Sequence, residues 1–214
     1  LQVTSAEGCS DSITKAVRVN YQPNAAFTTA DICQNETATV NNTSSIGGGS
    51  YTIDWNWGDA SAHDNTASPT HTYAAPNFYT ILLTLVSDSG CTDTLSRSIH
   101  VKKHYIPDFS ATKVCEGLAT DFTNLTDTTG SVALNWTWNF KDGNTDLTYQ
   151  PSHNYATGGT YNVSLQVTSA EGCSDSITKA VRVTYQPNAA FTTADICQNE
   201  TATVNDTSSI GGGV

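Results

Sequence analysis

The chain has 214 residues, 37% hydrophobic and only 14% charged, with Thr, Ser, Asn and Gly filling the gap; such a composition builds cores from short strands and polar turns, which excludes wholesale disorder and disfavours helix-rich folds. Nine Lys and Arg stand against 20 Asp and Glu for a formal net charge of −11, so no nucleic acid and no anionic membrane surface is expected as a partner, since either wants a basic face. No apolar run is long enough to cross a bilayer, and membrane insertion is not expected. The opening LQVTSAEGC lacks the charged and apolar stretches of a signal peptide, and there are six Cys and no Met. The chain therefore reads as a window on something longer, with any export signal outside it.

Residues 1–50 recur as residues 165–214, and only three positions differ: Asn20 against Thr184, Asn42 against Asp206, and Ser50 against Val214. Inside the long unit so defined lies a weaker repeat of half its length, because one constant step separates Phe27, Phe109 and Phe191, then Cys33, Cys115 and Cys197, and again Cys9, Cys91 and Cys173. The chain is an alternating array of two related modules. Residues 1–19 read as the end of a second-type module, 24–101 as a complete first-type module, 106–183 as a complete second-type module, and 187–214 as the start of another first-type module.

In chain order, a module opens with an early strand, TATVNNTS or LATDFTNLT. A central strand follows, YTIDWNW or LNWTWNF, with Trp55 or Trp138 expected in the core. Apolar residues then alternate in Tyr79, Ile81, Leu83, Leu85 and in Tyr161, Val163, Leu165, Val167, the period of a strand with one buried face. A Gly-containing turn, SDSG or SAEG, leads to a return strand ending in SIHV or AVRV, so each module closes on a hairpin. About seven short strands per module predict an all-β fold, tandem immunoglobulin-like sandwiches in a linear array. The connections YQPNAAF and HYIPDF each hold one Pro and little Gly, which predicts a stiff line of modules.

The stretch WTWNFKDG (136–143), then PSHNY (151–155), then GGTYNVSLQV (158–167) resembles the polycystic kidney disease (PKD) repeat, whose hallmark runs W-x-F-G-D-G, P-x-H-x-Y, G-x-Y-x-V. The first-type module departs from it with WNWGDA, carrying Trp57 for the usual Phe and Ala60 for the second Gly, and the second-type module has Lys141 where the family has Gly. The resemblance covers both complete modules and both fragments. It implies extracellular sandwiches serving as spacers or adhesive elements. The extra Cys pair and the tandem array are similar to the giant surface adhesins and gliding-associated proteins of Bacteroidetes-type bacteria.

Two Cys per module in an acidic chain read as exported point to disulfides, because no CxxC or Cys/His cluster with zinc spacing appears. The expected pairing is within a module, Cys33 with Cys91 and Cys115 with Cys173. The alternative joins neighbours, such as Cys33 with Cys173, since the two positions tend to lie at opposite poles of a sandwich. The hairpin motif G-C-[ST]-D-[ST]-[IL] looks like the acceptor of Bacteroidetes protein O-glycosylation and nominates Ser12, Thr94 and Ser176, with Thr128 fitting as well. The competing reading is an Asp that caps the turn. Sequons for N-glycosylation fall at Asn35, Asn41, Asn42, Asn124, Asn135, Asn162, Asn199 and Asn205, against about four that composition alone would produce.

His71 and His153, in the P-x-H-x-Y motif, are expected to pack and hydrogen-bond, because a catalytic group is rarely duplicated in every spacer. No G-x-S-x-G elbow is present and no enzyme is expected. Asp59 and Asp142 are weak Ca²⁺ candidates with Asp64, Asn65, Asn144 and Asp146, although a turn-stabilising role is the stronger reading and no cofactor is otherwise expected. The paired Trp55 and Trp57, and Trp136 and Trp138, lie two apart on one strand face and are expected in the core rather than on a sugar-binding platform. Together these readings describe a stiff, disulfide-stapled and glycosylated surface rod or fibril. Its partners would be neighbouring repeats, glycans, and further copies through lateral or end-to-end association. Two alternatives stand beside it: adhesive modules, and the spacer of a secreted hydrolase whose catalytic domain lies outside this segment.

Overall fold

The computed structural model describes residues 1–130 and 133–211, and it is built from strands alone, without a helix among the described residues. It divides into two units, Leu1–Val101 and Lys102–Val214, each with its own core.

In the first unit the labelled strands are β1 (Ile32–Cys33), β2 (Thr37–Thr39), β3 (Tyr51–Asn56), β4 (Thr70–Thr72), β5 (Asn77–Ser87) and β6 (Thr92–Lys102). One sheet has the order β1-β6-β5-β3. The opposing layer pairs β2 with β4, beside short ladders of Phe27–Thr28 with Asn41–Asn42 and Pro23–Asn24 with Ser45–Ile46. The alternating residues of β5 explain the layering: Ile81, Leu83 and Leu85 are fully buried, and Leu83 lies between Leu95 of β6 and Trp55 of β3. Phe27, Ala38, Val40, Trp55, Trp57, Tyr73, Ile99 and Val101 complete the core.

The second unit repeats the plan with β7 (Phe109–Ala111), β8 (Ala119–Asn124), β9 (Leu134–Asn139), β10 (Thr145–Asp146), β11 (Ser152–Asn154), β12 (Gly159–Ser169) and β13 (Ser174–Val183). Its sheets run β10-β9-β12-β13 and β7-β8-β11. Leu165 sits between Ile177 and Trp138 in the same register, and Phe109, Phe122, Phe140, Tyr155 and Val163 fill the space between the layers. The expected sandwich, its closing hairpin and its core tryptophans are all present. Trp136 is the exception to full burial, half-buried against the core and edge-on to Tyr149 at 5.1 Å.

The flanking pieces form only small hairpins. Gln2–Thr4 pairs with Ser10–Ser12, and Phe191–Thr193 pairs with Val204–Asp206, with every residue of these strands exposed.

Cys33 and Cys173 are disulfide-bonded, whereas Cys9, Cys91, Cys115 and Cys197 carry free thiols. The within-module pairing expected from the sequence is therefore not the one adopted, and the long hairpins supply the reason. Cys91 sits at the tip of the β5–β6 hairpin, where Ser87 N–H donates to its carbonyl at 2.8 Å. Cys33 lies on the neighbouring β1, beside the far end of β6, where His100 N–H donates to Asp31 at 2.9 Å. The strand running from Cys91 to His100 covers about 30 Å, against a limit of about 7 Å between the Cα atoms of a disulfide. In the second unit Cys115 bridges Thr184, which the length of β13 places about 36 Å from Cys173.

Candidate functional site

The most organised polar cluster of each module lies where the turn after the central strand meets β4 or β11. In the first module Asp59 follows β3 and His71 lies on β4. His71 Nε2 and Asp59 Oδ2 are 2.6 Å apart, with the side chains only 17% and 18% exposed. Asp59 Oδ1 accepts from the backbone N–H and hydroxyl of Ser61, at 3.1 and 2.5 Å. The second module has the same pair, His153 Nε2 to Asp142 Oδ2 at 2.6 Å, with Asp142 Oδ1 accepting from Asn144 N–H at 3.1 Å.

Aromatic rings fix the imidazoles. Trp57 stacks on His71 at 4.8 Å and Phe140 on His153 at 4.1 Å. Each His meets a Tyr edge-on, Tyr73 at 4.6 Å and Tyr155 at 4.7 Å, and each Tyr in turn stacks on Tyr79 or Tyr161. The tyrosine hydroxyls close the loop by donating to the carbonyls of Trp57 at 3.0 Å and Phe140 at 3.3 Å. Burial, together with the nearby Asp59 or Asp142 carboxylate, pushes both phenols well above the usual tyrosine range. They are hydrogen-bond donors at any physiological pH. Desolvation alone would raise Asp59 and Asp142, but hydrogen bonds from Ser61 and His71, and from His153 and Asn144, outweigh it and hold both below the ordinary carboxylate value.

These aspartates are engaged in turns rather than arranged as a cation cage. Asp64 and Asp146 accept from Thr66 and Thr148, and the indole N–H groups of Trp55 and Trp138 donate to the carbonyls of the same two threonines at 3.1 and 3.0 Å. Among the described residues no group of three or more His, Cys, Asp or Glu could hold a metal ion. The motif departures also fall in these turns: Ala60 and Lys141 adopt φ of 63° and 64°, a left-handed backbone that favours glycine. At Gly58, φ is 80° and a Cβ would meet the Thr80 carbonyl oxygen at 2.5 Å.

The sequence placed Asp and His in turn and packing roles without joining them. His153 follows His71 by the same step that relates the cysteines of the two modules, and Asp142 follows Asp59 by that step plus a single position. The signal that links them is this joint recurrence.

The candidate modification sites are scattered. Ser12, Thr94 and Ser176 are exposed on their strands, and Thr128 is half-buried. The neighbouring aspartates do local work: Asp93 accepts from Ala25 N–H at 2.7 Å, while Asp175 faces Ser176 N–H and lies 3.5 Å from His104. Pro107 stands where the first module has Ala25 and has no N–H to give, which accounts for the difference. Of the sequons, Asn35, Asn41, Asn135, Asn162, Asn199 and Asn205 are exposed. Asn124 is removed from the candidates, being buried with its amide donating to the Tyr149 carbonyl. Asn42 is also engaged, its amide donating to Ala67 at 2.9 Å.

A family model described as PKD domain matches residues 20–102 and 106–185. A microbial collagenase of Vibrio alginolyticus is 38% identical over 69 residues, 32% of this chain and 8% of the collagenase, so the chain spans under a tenth of that relative's length. Among solved structures, the PKD1 domain of Vibrio anguillarum Epp matches 37% of this chain and 93% of its own length at 25% identity, TM-score 0.34. The PKD1 domain of the Vibrio cholerae metalloprotease PrtV matches 38% of this chain and 98% of its own at 28% identity, TM-score 0.34.

Proposed function

The chain belongs to the PKD domain family, and on that premise we propose that it is a structural segment of a long extracellular repeat protein that forms a stiff surface rod or fibril. The observation that carries this reading is the repetition of one complete sandwich, polar cluster included, in two modules that each bury a core of their own. Stability in such an array is approximately a sum of module and neighbour terms, so length grows by duplication without redesign. The near-identity of residues 1–50 and 165–214 is what that growth leaves. The His–Asp pairs are occupied by packing and turn hydrogen bonds in both modules, which favours a mechanical role over a catalytic one. No helix among the described residues is long and apolar enough to cross a membrane.

Electron microscopy of the native protein is expected to reveal extended rods, and limited protease treatment of intact cells to release peptides of these modules. Compact particles, or modules protected inside cells, would overturn the reading. Intact and peptide-level mass spectrometry is expected to find added sugar mass on peptides holding Ser12, Thr94 or Ser176; unmodified peptides would remove glycosylation. A second reading is the spacer of a secreted hydrolase, favoured by the similarity to the collagenase. Hydrolysis of gelatin by the native full-length protein would select it.

A further inference from the structure

In the first unit the sheet β1-β6-β5-β3 turns one face to the core. Alternation along β5 sends Ile81, Leu83 and Leu85 to that face, so Phe78, Leu82 and Val86 point the other way, where they are 67%, 37% and 36% exposed. The second unit shows that the strand does not require them. Leu83 and Leu165 occupy one position of the shared plan, each between a core tryptophan and the return strand. Counted from there, β12 has Thr160, Ser164 and Thr168 where β5 has the three apolar residues. The same sandwich folds with a polar row, so the fold of the module accounts for none of the three.

The charges of this sheet are kept off its outer face. Arg97 of β6 turns inward over the Phe27 ring at 5.8 Å, and the Asp93 carboxylate turns inward to accept from Ala25 N–H at 2.7 Å. Asp54, opposite Thr84 on the outer face, is engaged by His63 at 2.9 Å. His100 stacks on Phe78 with ring centroids 4.0 Å apart, whereas the second unit sets Arg182 opposite Thr160. The outer face of the first unit is thus apolar along its middle strand, hydroxyl-bearing at Ser96 and Ser98 beside it, and poor in charge although the chain has a net charge of −11. An apolar centre, a polar rim and few charges are the anatomy of an interface.

We propose that this face of the first-type module is a docking surface for the same face of a second copy. Acidic surfaces repel their like, and this face, its single carboxylate engaged by an imidazole, does so least. The apolar residues recur at every fourth position and leave Thr80 and Thr84 as lower places between them. A row related by a two-fold axis can therefore interdigitate with it, as side chains do between sheets packed about 10 Å apart. Because β5 lies between β6 and β3, row meets row when face meets face. Strands of 11 residues make a face about 36 Å long and about 15 Å wide, roughly 500 Å² per copy. The pair buries about 1,000 Å², the lower bound of a specific interface, so the dimer is reversible. The surface belongs to one module and serves a rod and a hydrolase spacer alike. Thr94, a candidate sugar acceptor, lies on this face opposite Thr84. Sugar attached there opposes docking, and the test uses protein without sugar.

Sedimentation equilibrium of this chain, free of sugar and with its free thiols alkylated, is expected to show a monomer–dimer equilibrium that added sulfate leaves intact or strengthens. Phe78→Thr, Leu82→Ser and Val86→Thr together give β5 the residues that the second unit carries. They should raise the dissociation constant at least tenfold while tryptophan fluorescence stays native. Leu82→Glu alone, which sets two carboxylates near the two-fold axis, should do the same. A chain that stays monomeric at millimolar concentration, a dimer that dissociates on adding salt, or variants that pair as the parent does would overturn the proposal. Monomer throughout, with amide shifts along β5 on adding cellohexaose, would overturn it in favour of a sugar ligand.

Discussion

The first module contains two His–Asp pairs that differ in burial, and comparing them tests whether the clustered pair holds the fold. Asp59 makes three hydrogen bonds, two from Ser61 and one with His71, in a site less than one-fifth exposed. Asp54 meets His63 at 2.9 Å with both side chains about half exposed. Asp59→Ala removes a shielded charge-assisted bond and two turn bonds and leaves the His71 ring without its acceptor, a loss of about 2–3 kcal/mol. Asp54→Ala removes an exposed pair worth about 0–0.5 kcal/mol. Each substitution deletes one carboxylate from the same module, so the change in net charge cancels from the comparison. Urea unfolding followed by tryptophan fluorescence should place the Asp59→Ala midpoint roughly 1–2 M below that of Asp54→Ala. Two variants within about 0.5 kcal/mol of each other would refute the role assigned to the clustered pair.

Because the Asp59 and Asp142 carboxyls are held below their ordinary value of 3.8, their contribution is fully present above that value and is lost as pH falls through the lower folded-state value; an acid titration of stability should decline below about pH 4, and Asp59→Ala should flatten that decline. Ala60→Gly and Lys141→Gly relieve left-handed backbone at φ of 63° and 64°, and each should raise thermal stability by about 0.5–1 kcal/mol; a loss would mean the turn conformation is not strained. Thr120 is fully buried and its hydroxyl has no hydrogen-bond partner, whereas the first module has Ala38 at the matching position. Thr120→Val should therefore stabilise by about 1 kcal/mol in calorimetry, and destabilisation would point to a hidden partner for that hydroxyl.

Alternation and recurrence were enough to read the architecture. Ile81, Leu83 and Leu85 declare a one-sided strand on their own, because side chains at every second position share a face whatever the strand packs against. The constant steps between Phe27, Phe109 and Phe191, and between the cysteines, likewise need no coordinates. The cysteine partners were not legible in the same way. Pairing depends on which positions come within about 7 Å; the sandwich plan already suggested opposite poles for the two cysteines of a module, but only the length and register of the β5–β6 and β12–β13 hairpins decide against the within-module pairing. The His–Asp pairs were half legible: their residues recur together, but their contact depends on how β4 and β11 pack beside the turn after the central strand. Burial shows the division most directly. Phe27 and Phe191 stand in matching segments that differ only at Asn42 and Asp206 between residues 23 and 47, yet Phe27 is 1% exposed and Phe191 68%. Likewise residues 165–183 lie almost wholly within two long strands, whereas the identical stretch at residues 1–19 forms a ladder of three pairs. Local sequence sets the period and the turn, while hydrophobic burial requires the facing sheet, which in this chain only the complete modules supply.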